Sequence, residues 1–569
     1  MKPFAAFLLA CMGCMNMADA QTQSWDALVD RFFDQADFHF NPSAGTSAGF
    51  HQYDAMLEDF SLPSIQQEVS VLKLYERQVQ NFPAAKLTTG QAADREIVLG
   101  FIRSTLLDLE SIRAWEVNPD HYSSTASNAI FTIMSRNFAP QDERLKTVIA
   151  RERQMPKMFE AARANLKNPP RIYTEVALEQ LPGIISFFQK DVPLAFNAVK
   201  DQTLLKQFHE ANATVIRELE RYEAFLKNDV LPRSKGDFRI GAENYRKKLL
   251  YDEMVDIPLD RLLQIGYANL RQNQEAFRET AKKIDPGRTP QQILDAAEKD
   301  HPAADKLLDA FRNTLGGLRT YITAHRIVTI PSPVMPIVEE TPPFMRALTT
   351  ASMDTPGPYE KIAKEAFFNV TLPEKDWTPS HIQEHLEMFN RGVITSTSIH
   401  ETYPGHYVQF LWVQSAPSKV RKLLGANSNA EGWAHYCEQM MIDEGYGGGD
   451  LKLRLGQLQD ALLRNARYIV GIQMHTGQMT FDQAVEFFVK EGMQTRSTAE
   501  VESKRGTSDP TYLYYTLGKL EILKLREDYK KMRGASFSLQ EFHDTFLKQG
   551  FPPIKIVRRA MLGNDSPVL

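Results

Sequence analysis

The sequence predicts a mainly α-helical protein in which a small β-sheet precedes the helices that carry the most informative residues. Apolar residues recur at helical spacing through much of the chain, for example from Leu204 to Leu226 and from Leu259 to Phe277. One region, Thr329–Phe344, breaks this pattern with frequent prolines, which exclude a continuous helix. The two observations together predict helices packed around a core, with one irregular segment.

Other helical stripes are predicted in order along the chain. The first follows Ser64, a candidate N-cap residue, and continues to Phe82. Another runs from Leu145 to Phe159, and a later one from Phe481 to Lys490. These stripes are typical of core packing.

Strands are predicted beside the proline-rich region. β-Branched and aromatic residues are dense in Tyr321–Thr329, Arg346–Ser352 and Ala366–Leu372. We therefore predict a small sheet within about residues 321–372. Such a sheet either offers an edge strand to an extended peptide or has a purely structural role.

The most informative segment is His400–His406, which reads HETYPGH. Two histidines and a Glu beside the first are residue types that a zinc hydrolase uses. The histidines are six residues apart, which places them about 120° apart on a regular helix, too far for one small ion. Pro404 has no N–H and Gly405 adds backbone freedom, so we predict a helix with a bulge that turns His406 back toward His400. The alternative is a helix end with two incidental histidines.

A third ligand is expected on a separate helix. Asn427–Asn429 supply good N-cap residues, and we predict a helix over Ala430–Ile442. Glu431 lies in its first turn, and His435 and Glu438 share its face four and seven residues further on. All three are candidate ligands, and Glu438 is also a candidate partner for a ligand imidazole. A first-turn Glu has a simpler explanation too, since an acid there complements the helix dipole.

These two blocks resemble domain-of-unknown-function family 885, a bacterial family regarded as zincin-like and proposed to contain metallopeptidases. Its pattern His-Glu-x-x-Pro-Gly-His matches His400–His406, and its Glu-Gly-Trp-Ala-x-Tyr-x-Glu matches Glu431–Glu438. Further likeness is found at Gly241–Leu250 and at Tyr515–Lys519. The resemblance implies a mainly α, zincin-like metallopeptidase whose small sheet precedes the metal-binding helix.

The resemblance also implies roles for individual residues. One Zn²⁺ per chain would be held by His400, His406 and Glu431. Glu401 would be the general base that takes a proton from metal-activated water. The resemblance argues against His435 as a ligand, because the family usually has an apolar residue there.

Hydrolysis also needs a donor for the negative charge that develops on the substrate oxygen. Tyr512, Tyr514 and Tyr515 precede a predicted helix start at Leu517, and Tyr515 fits the family pattern best. His475 is the other candidate, because it alone remains from the family's Asp-x-Gly-x-His pattern. A buried aromatic ring or a hydrogen-bonded core histidine is the simpler alternative for each.

A substrate with a free carboxylate would require a cation near the metal, and Arg467, Lys504 and Arg505 are the candidates. Arg505 matches the family's arginine only with a shifted gap. Such a cation would favour carboxypeptidase or dipeptidase action. We therefore predict Arg505, Tyr512 and Glu438 as residues that contact the substrate or support the site.

Length and charge place limits on the organisation and partners of the chain. With 569 residues, it is expected to form more than one lobe. We predict a helical lobe over residues 21–235 and a catalytic lobe over 236–569, with metal helices at about 390–445. The formal net charge of −5 is small, and no basic run predicts a nucleic-acid partner. Nothing after the N-terminus predicts a membrane span, and the oligomeric state stays open.

The N-terminus has the pattern of an export signal. A lysine, an apolar run and a small-x-small site predict a signal peptide over residues 1–20, with cleavage after Ala20 and periplasmic export. Cys11 and Cys14 raise a lipoprotein as the alternative. Cleavage after Ala20 would leave Cys437 as the only cysteine, so no intrachain disulfide is expected.

The sequence therefore predicts an exported zinc metallopeptidase that hydrolyses short peptides in the manner of a carboxypeptidase or an oligopeptidase. One alternative is a zinc amidase or esterase that acts on a non-peptide substrate. The other is a non-catalytic protein that binds metal or peptide. Retention of Glu401 favours an enzyme, since a structural zinc site would have a fourth protein ligand and no base.

Overall fold

The structure, a computed structural model, describes residues 24–342, 346, 349–375 and 377–569. The predicted signal peptide, with Ala20, Cys11 and Cys14, lies outside the described residues. Helix accounts for 70% and strand for 3% of the structure, which confirms a mainly α fold with a small sheet.

The helices are labelled in chain order. Those of the first part of the chain are α1 (Trp25–Phe32), α2 (Pro42–Ala48), α3 (Leu62–Gln80), α4 (Thr89–Leu107), α5 (Ala114–Val117), α6 (Asp120–Ser135), α7 (Gln141–Glu152), α8 (Met155–Asn165), α9 (Arg171–Ser186), α10 (Val192–Ala195), α11 (Gln202–Phe225) and α12 (Leu231–Arg233). The middle part has α13 (Gly241–Glu253), α14 (Leu259–Ile284), α15 (Pro290–Glu298), α16 (Leu307–His325), α17 (Pro379–Met388), α18 (Arg391–Glu401), α19 (His406–Val413), α20 (Lys419–Leu423) and α21 (Asn427–Asp443). The last part has α22 (Leu451–His475), α23 (Phe481–Lys490), α24 (Arg496–Ser508), α25 (Tyr514–Arg533), α26 (Leu539–Leu547) and α27 (Ile554–Leu562).

Most of the helices that apolar periodicity predicted are present in the structure, but some begin or end at other residues. The stripe at 481–490 is α23, and the one that begins at Leu204 is α11. Ser64 is not a cap, because α3 begins two residues earlier with Ser61 at its N-cap position. The stripe from Leu145 to Phe159 is wrong as one helix. It is divided between α7 and α8, where Pro156 occupies the first turn of the second helix.

The sheet has three strands, β1 (Ile337–Glu340), β2 (Ala351–Asp354) and β3 (Phe367–Val370), in the order β1-β3-β2. β1 is parallel to β3, and β2 is antiparallel to it. Phe368 of β3 is opposite Val338 on one side and Met353 on the other. The predicted strand over Ala366–Leu372 is confirmed by β3.

A predicted strand at Tyr321–Thr329 is wrong, because α16 continues to His325. Leu318 and Ile322 are fully buried one turn apart, so packing of this helical face outweighs the β propensity of the segment. β1 was not predicted either, since it lies inside the proline-rich region. Prolines precede and follow it at 336 and 342, where they do not interrupt its pairing with β3.

The hydrophobic core around the sheet includes the helices of the candidate site. Phe368 and Val338 belong to the same cluster of buried side chains as Ile399 of α18 and Trp433 of α21. A separate cluster formed mainly by α1, α3 and α4 includes Val420 and one residue of the last helix, Ile556. The N-terminal helices therefore pack on C-terminal segments as well as on each other. The predicted lobe boundary near residue 235 stays a prediction.

Helices α21 and α25 pack together at two glycines. A Cβ built on Gly432 would lie 2.5 Å from the Cα of Gly518. A Cβ on Gly518 would overlap the carbonyl oxygen of Ser428 in α21. Because backbone atoms cannot move aside as the end of a flexible side chain can, this crossing requires glycine on both helices.

We expect Gly518→Ala to destabilise the protein by about 1–3 kcal/mol, because the new methyl group forces α25 away from α21. The matched control is Gly316→Ala in α16, where an added Cβ meets nothing within 4 Å. There alanine is expected to stabilise the helix by about 0.5–1 kcal/mol. Urea unfolding midpoints measure both changes. Equal effects of the two substitutions would contradict a close glycine crossing.

Candidate functional site

The two motif histidines lie on separate helices. α18 ends at Glu401, and α19 begins at His406, the residue after Gly405. The prediction of one helix with a bulge is therefore wrong in form, because the chain leaves the helix entirely. The rings nevertheless lie together, with centroids 4.8 Å apart for His400 and His406.

The turn between these helices explains the Pro-Gly pair. The N–H of Gly405 donates to the carbonyl of Ile399 at 2.9 Å, which folds the chain back onto the last turn of α18. A Cβ at Gly405 would overlap the carbonyl oxygen of His400, so glycine is needed there. The indole N–H of the buried Trp433 donates to the carbonyl of Pro404 at 2.9 Å. The second motif therefore holds the turn of the first one against α21.

Glu431 reaches both histidines from α21. Its Oε2 is 3.2 Å from Nε2 of His400 and 3.3 Å from Nε2 of His406. All three candidate ligand atoms lie within 4.8 Å of one another. The predicted cap at Asn427–Asn429 is wrong in detail, because these residues form the first turn of α21 and Ala426 is the N-cap. The position of Glu431 near the start of the helix is nevertheless the one that the sequence predicted.

The donor set and its spacing fit a small divalent cation. Ligands about 2.0–2.1 Å from a tetrahedral zinc ion are about 3.3 Å apart, which matches the distances from Glu431 to both imidazoles. Oε2 of Glu431 is buried, and although both imidazoles lie close to it, it makes no hydrogen bond of good geometry in the described part of the chain. Two imidazoles and one carboxylate are also a common set for catalytic zinc.

The charges around His400 favour a cation as well. Burial lowers the pKa of His400, but Glu431 and Glu438 outweigh it and raise that pKa to about 9. The pocket thus stabilises positive charge at this position, whether a proton or a metal ion supplies it.

Glu438 connects His400 to the core behind it. Its Oε1 is 2.7 Å from Nδ1 of His400 and 3.0 Å from the guanidinium of Arg464. Its Oε2 is 3.0 Å from Nδ1 of His435. Burial alone would raise the pKa of Glu438, yet Arg464 and the histidines hold it well below its usual range. An ionised Glu438 accepts a hydrogen bond from the Nδ1–H of His400, so that in the neutral ring the lone pair lies on Nε2, which faces Glu431.

His435 itself is fully buried, and it is not one of the three converging side chains. Burial lowers its pKa to about 3, so its ring stays neutral beside Glu438. Its position agrees with the resemblance, which argues against a ligand role for it.

Glu401 lies next to the cluster without being one of its three members. Burial raises the pKa of its carboxyl group, despite the nearby histidines that lower it. A carboxyl group with a raised pKa is suited to accept and return a proton near neutral pH.

Tyr515, from the first turn of α25, lies beside His400. The two rings stack with centroids 6.2 Å apart. The Tyr515 hydroxyl accepts a hydrogen bond from Nη2 of Arg505 at 3.0 Å. Burial and the charge of Glu431 raise the pKa of Tyr515, so its hydroxyl keeps its proton. Its neighbour Tyr514 donates instead to Asp509, at 2.8 Å.

The structure does not bring His475 to the cluster. This residue lies at the end of α22, where Nε2 is 2.7 Å from the carbonyl oxygen of Gly506 and Nδ1 accepts from the N–H of Ile240 at 3.4 Å. Burial lowers its pKa to about 4. Both ring nitrogens are therefore used by backbone groups, and the expectation of a catalytic His475 is corrected to a core histidine.

Tyr512 is also a core residue. Its side chain is fully buried, and its ring packs against the backbone of Gly471 and Gly506. Its hydroxyl has no hydrogen-bond partner in the described part of the chain. Tyr515 is thus the predicted tyrosine that lies beside the cluster.

Arg464 was not predicted. It lies on α22 and is 9% exposed, with its guanidinium against Glu438. The available signal was a pair of arginines, Arg464 and Arg467, on one face of the mostly apolar segment 461–470. Buried arginines imply buried acids, but the sequence does not indicate which acids those are.

Comparisons with known proteins agree with this architecture. The family described as "Bacterial protein of unknown function (DUF885)" matches residues 42–561. No curated protein matches the chain.

Two solved structures are similar over almost all of the chain. A candidate lipoprotein of unknown function from Shewanella oneidensis is 26% identical, with a TM-score of 0.78 over 95% of this chain and 100% of the other. A candidate lipoprotein from Colwellia psychrerythraea is 18% identical, with a TM-score of 0.74 over 94% of this chain and 98% of the other. The second likeness is one of fold alone.

The family match spans both motif blocks, the small sheet and every helix that contributes to the cluster. The chain therefore belongs to the bacterial family of unknown function DUF885.

Proposed function

We propose that this protein is an exported, zinc-dependent metallopeptidase of zincin-like type that hydrolyses short peptides. One observation carries the proposal, the convergence of His400, His406 and Glu431 beside a carboxyl group that is not part of the set, Glu401. A site with three protein ligands and an adjacent base is typical of catalytic zinc and not of structural zinc.

We assign a separate role in hydrolysis to each residue around the cluster. A bound Zn²⁺ would polarise the substrate carbonyl and lower the pKa of water. Glu401 would take a proton from that water and return it to the leaving amine. Tyr515 accepts from Arg505 and so keeps its own O–H free to donate to the substrate oxygen as negative charge develops.

The space near the cluster suits a peptide. The ring of Phe410 stacks on that of His406, with centroids 5.8 Å apart, and its other surroundings include a cavity of about 240 Å³. Tyr407, Leu411 and Val334 also line this cavity. A space of this size, lined by both apolar and polar side chains, accepts one or two substrate side chains and not a folded domain.

Export is part of the proposal. The N-terminal pattern predicts it, and the two similar solved structures carry lipoprotein names. Among the described residues, no helix combines the length and apolar character that crossing a membrane requires. Cleavage after Ala20, or lipid attachment at Cys11 or Cys14, stays a prediction.

The first test is the zinc content of the purified protein. We expect about one zinc ion per wild-type chain and loss of most of it in His406→Ala, which removes one of three ligands. His325→Ala, a substitution of an exposed histidine on α16, is the control and should keep the metal. Elemental analysis measures all three. Zinc retained in His406→Ala would exclude His406 as a ligand.

The second test separates catalysis from binding. Glu401→Gln should retain zinc and lose about 10²- to 10⁴-fold in peptide turnover, because the proton acceptor is gone. Glu384→Gln, which changes an exposed acid on α17, is the control and should keep full turnover. Zinc-loaded wild-type protein that cleaves no peptide would favour a non-catalytic binding protein. Cleavage of non-peptide amides or esters alone would favour the amidase or esterase alternative.

The third test concerns the hydrogen bond between Glu438 and Nδ1 of His400. Glu438→Gln should weaken zinc affinity by about 10- to 100-fold, because the amide is a poorer acceptor for the imidazole N–H. Glu444→Gln is the matched control, since that carboxylate follows the same helix and pairs with Arg526 at 2.8 Å. Competition with a chelating dye measures both affinities. Equal affinities in the two variants would remove Glu438 from the metal site.

A further inference from the structure

Three arginines surround the ring of Tyr515. Their guanidinium carbons lie 5.7 Å (Arg464), 4.9 Å (Arg467) and 5.8 Å (Arg505) from its centroid. The ring of His400 also stacks on this ring, and Nη2 of Arg464 lies 3.4 Å from Nδ1 of His400. A concentration of positive charge therefore lies directly beside the candidate metal ligands.

Two of these arginines are already neutralised by buried acids. Arg467 forms a bidentate pair with Glu502, with N–O distances of 2.6 and 2.7 Å. Arg464 pairs with Glu438 at 3.0 Å. Both arginine side chains are about nine-tenths buried. Neither guanidinium is free to bind an anionic ligand without breaking a buried ion pair.

Arg505 is different in exposure and pairing. Its side chain is 37% exposed. Among the described residues its hydrogen bonds use Nη2 alone, to the Tyr515 hydroxyl at 3.0 Å and to Asp509 at 3.4 Å. The same oxygen of Asp509 accepts the shorter bond from Tyr514. The remaining N–H groups of Arg505 are thus available to a carboxylate, and Tyr515 orients the guanidinium.

The position of Arg505 suits one end of a short peptide. Arg505 and His400 lie 5.8 and 6.2 Å from the centre of the Tyr515 ring, so they are at most about 12 Å apart. One to three extended residues, at about 3.3–3.6 Å each, would span the distance from a carbonyl at the metal ligands to a carboxylate at Arg505.

We infer that Arg505 binds the free α-carboxylate of the substrate, so that the enzyme cleaves short peptides close to their C-terminus. This inference rests on the proposed function and names its substrate class. In the reaction, water adds across the C–N bond. The acyl carbon gains the hydroxyl group, and the leaving nitrogen gains the proton. Lys504, the other cation in this stretch of α24, is directed to the surface, where it pairs with Glu179 at 2.9 Å.

The kinetic test compares short peptides of one sequence that end in a free carboxylate or in an amide. Zinc-loaded wild-type protein should prefer the carboxylate by about 10- to 100-fold in kcat/KM, because one charge-assisted contact is made only with that form. Arg505→Gln should lose the preference between the two forms of the peptide, whatever its rate on either, and its zinc content and urea unfolding midpoint show that the variant is folded. Arg505→Lys should recover part of the preference.

Lys504→Gln is the matched control, because it removes a neighbouring positive charge from the same helix. It should leave the preference unchanged. If Lys504→Gln and Arg505→Gln reduce the preference equally, a diffuse charge effect replaces the specific contact, and the inference is overturned.

A binding measurement separates this inference from the proposed function. The same peptides are titrated by calorimetry into zinc-loaded Glu401→Gln, with and without Arg505→Gln. Wild-type turnover without preference for the carboxylate overturns the Arg505 site and leaves the peptidase. Absent turnover, with carboxylate-selective binding that Arg505→Gln abolishes, overturns the peptidase and supports the Arg505 site. If the protein shows neither turnover nor carboxylate-selective binding, both the peptidase and the Arg505 site are overturned.

Discussion

The site depends on one buried carboxylate. Glu438 is fully buried on α21, and an unpaired charge in that position would cost several kcal/mol. It is paired with His400 from α18 and Arg464 from α22, so its charge determines how three helices lie against each other. The same interaction sets which nitrogen of His400 faces the other candidate ligands. The same carboxylate therefore pairs the buried charges of the core and orients the imidazole of His400.

Close backbone contacts at two glycines bring His406 and Tyr515 to His400. Gly405 allows the chain to fold back onto α18 and return His406 to His400. Gly518 allows α25 to approach α21, and this helix carries Tyr515. Residues from four helices thus meet at one point because small residues lie where the helices cross. The cluster is a property of this packing and not of any single helix.

Charge pairing also separates supporting residues from residues that are available to a ligand. Arg464 and Arg467 are buried against Glu438 and Glu502, where they stabilise the positions of their partners. Arg505 is partly exposed, and its hydrogen bonds to the residues that the structure describes use one nitrogen. All three contact the ring of Tyr515, so their distance from this ring does not distinguish them. Their partners do, because a buried ion pair is costly to exchange, whereas the two contacts of Arg505 leave its other N–H groups available to a ligand.

The sequence by itself determined the mainly α class and a small sheet near β3, because helical periodicity is a local property. It also identified the two histidines and three candidates for the third ligand, and the choice of Glu431 among them rested on the family resemblance. It did not determine that His400 and His406 lie on two helices, since that depends on how Gly405 packs on α18. The partners of Arg464 and the burial of His475 among backbone groups were also decided by tertiary structure. The strand expected at Tyr321–Thr329 became part of α16 because its apolar face is buried there. In each case the deciding energy comes from contacts between residues that are distant in sequence, which no local pattern records.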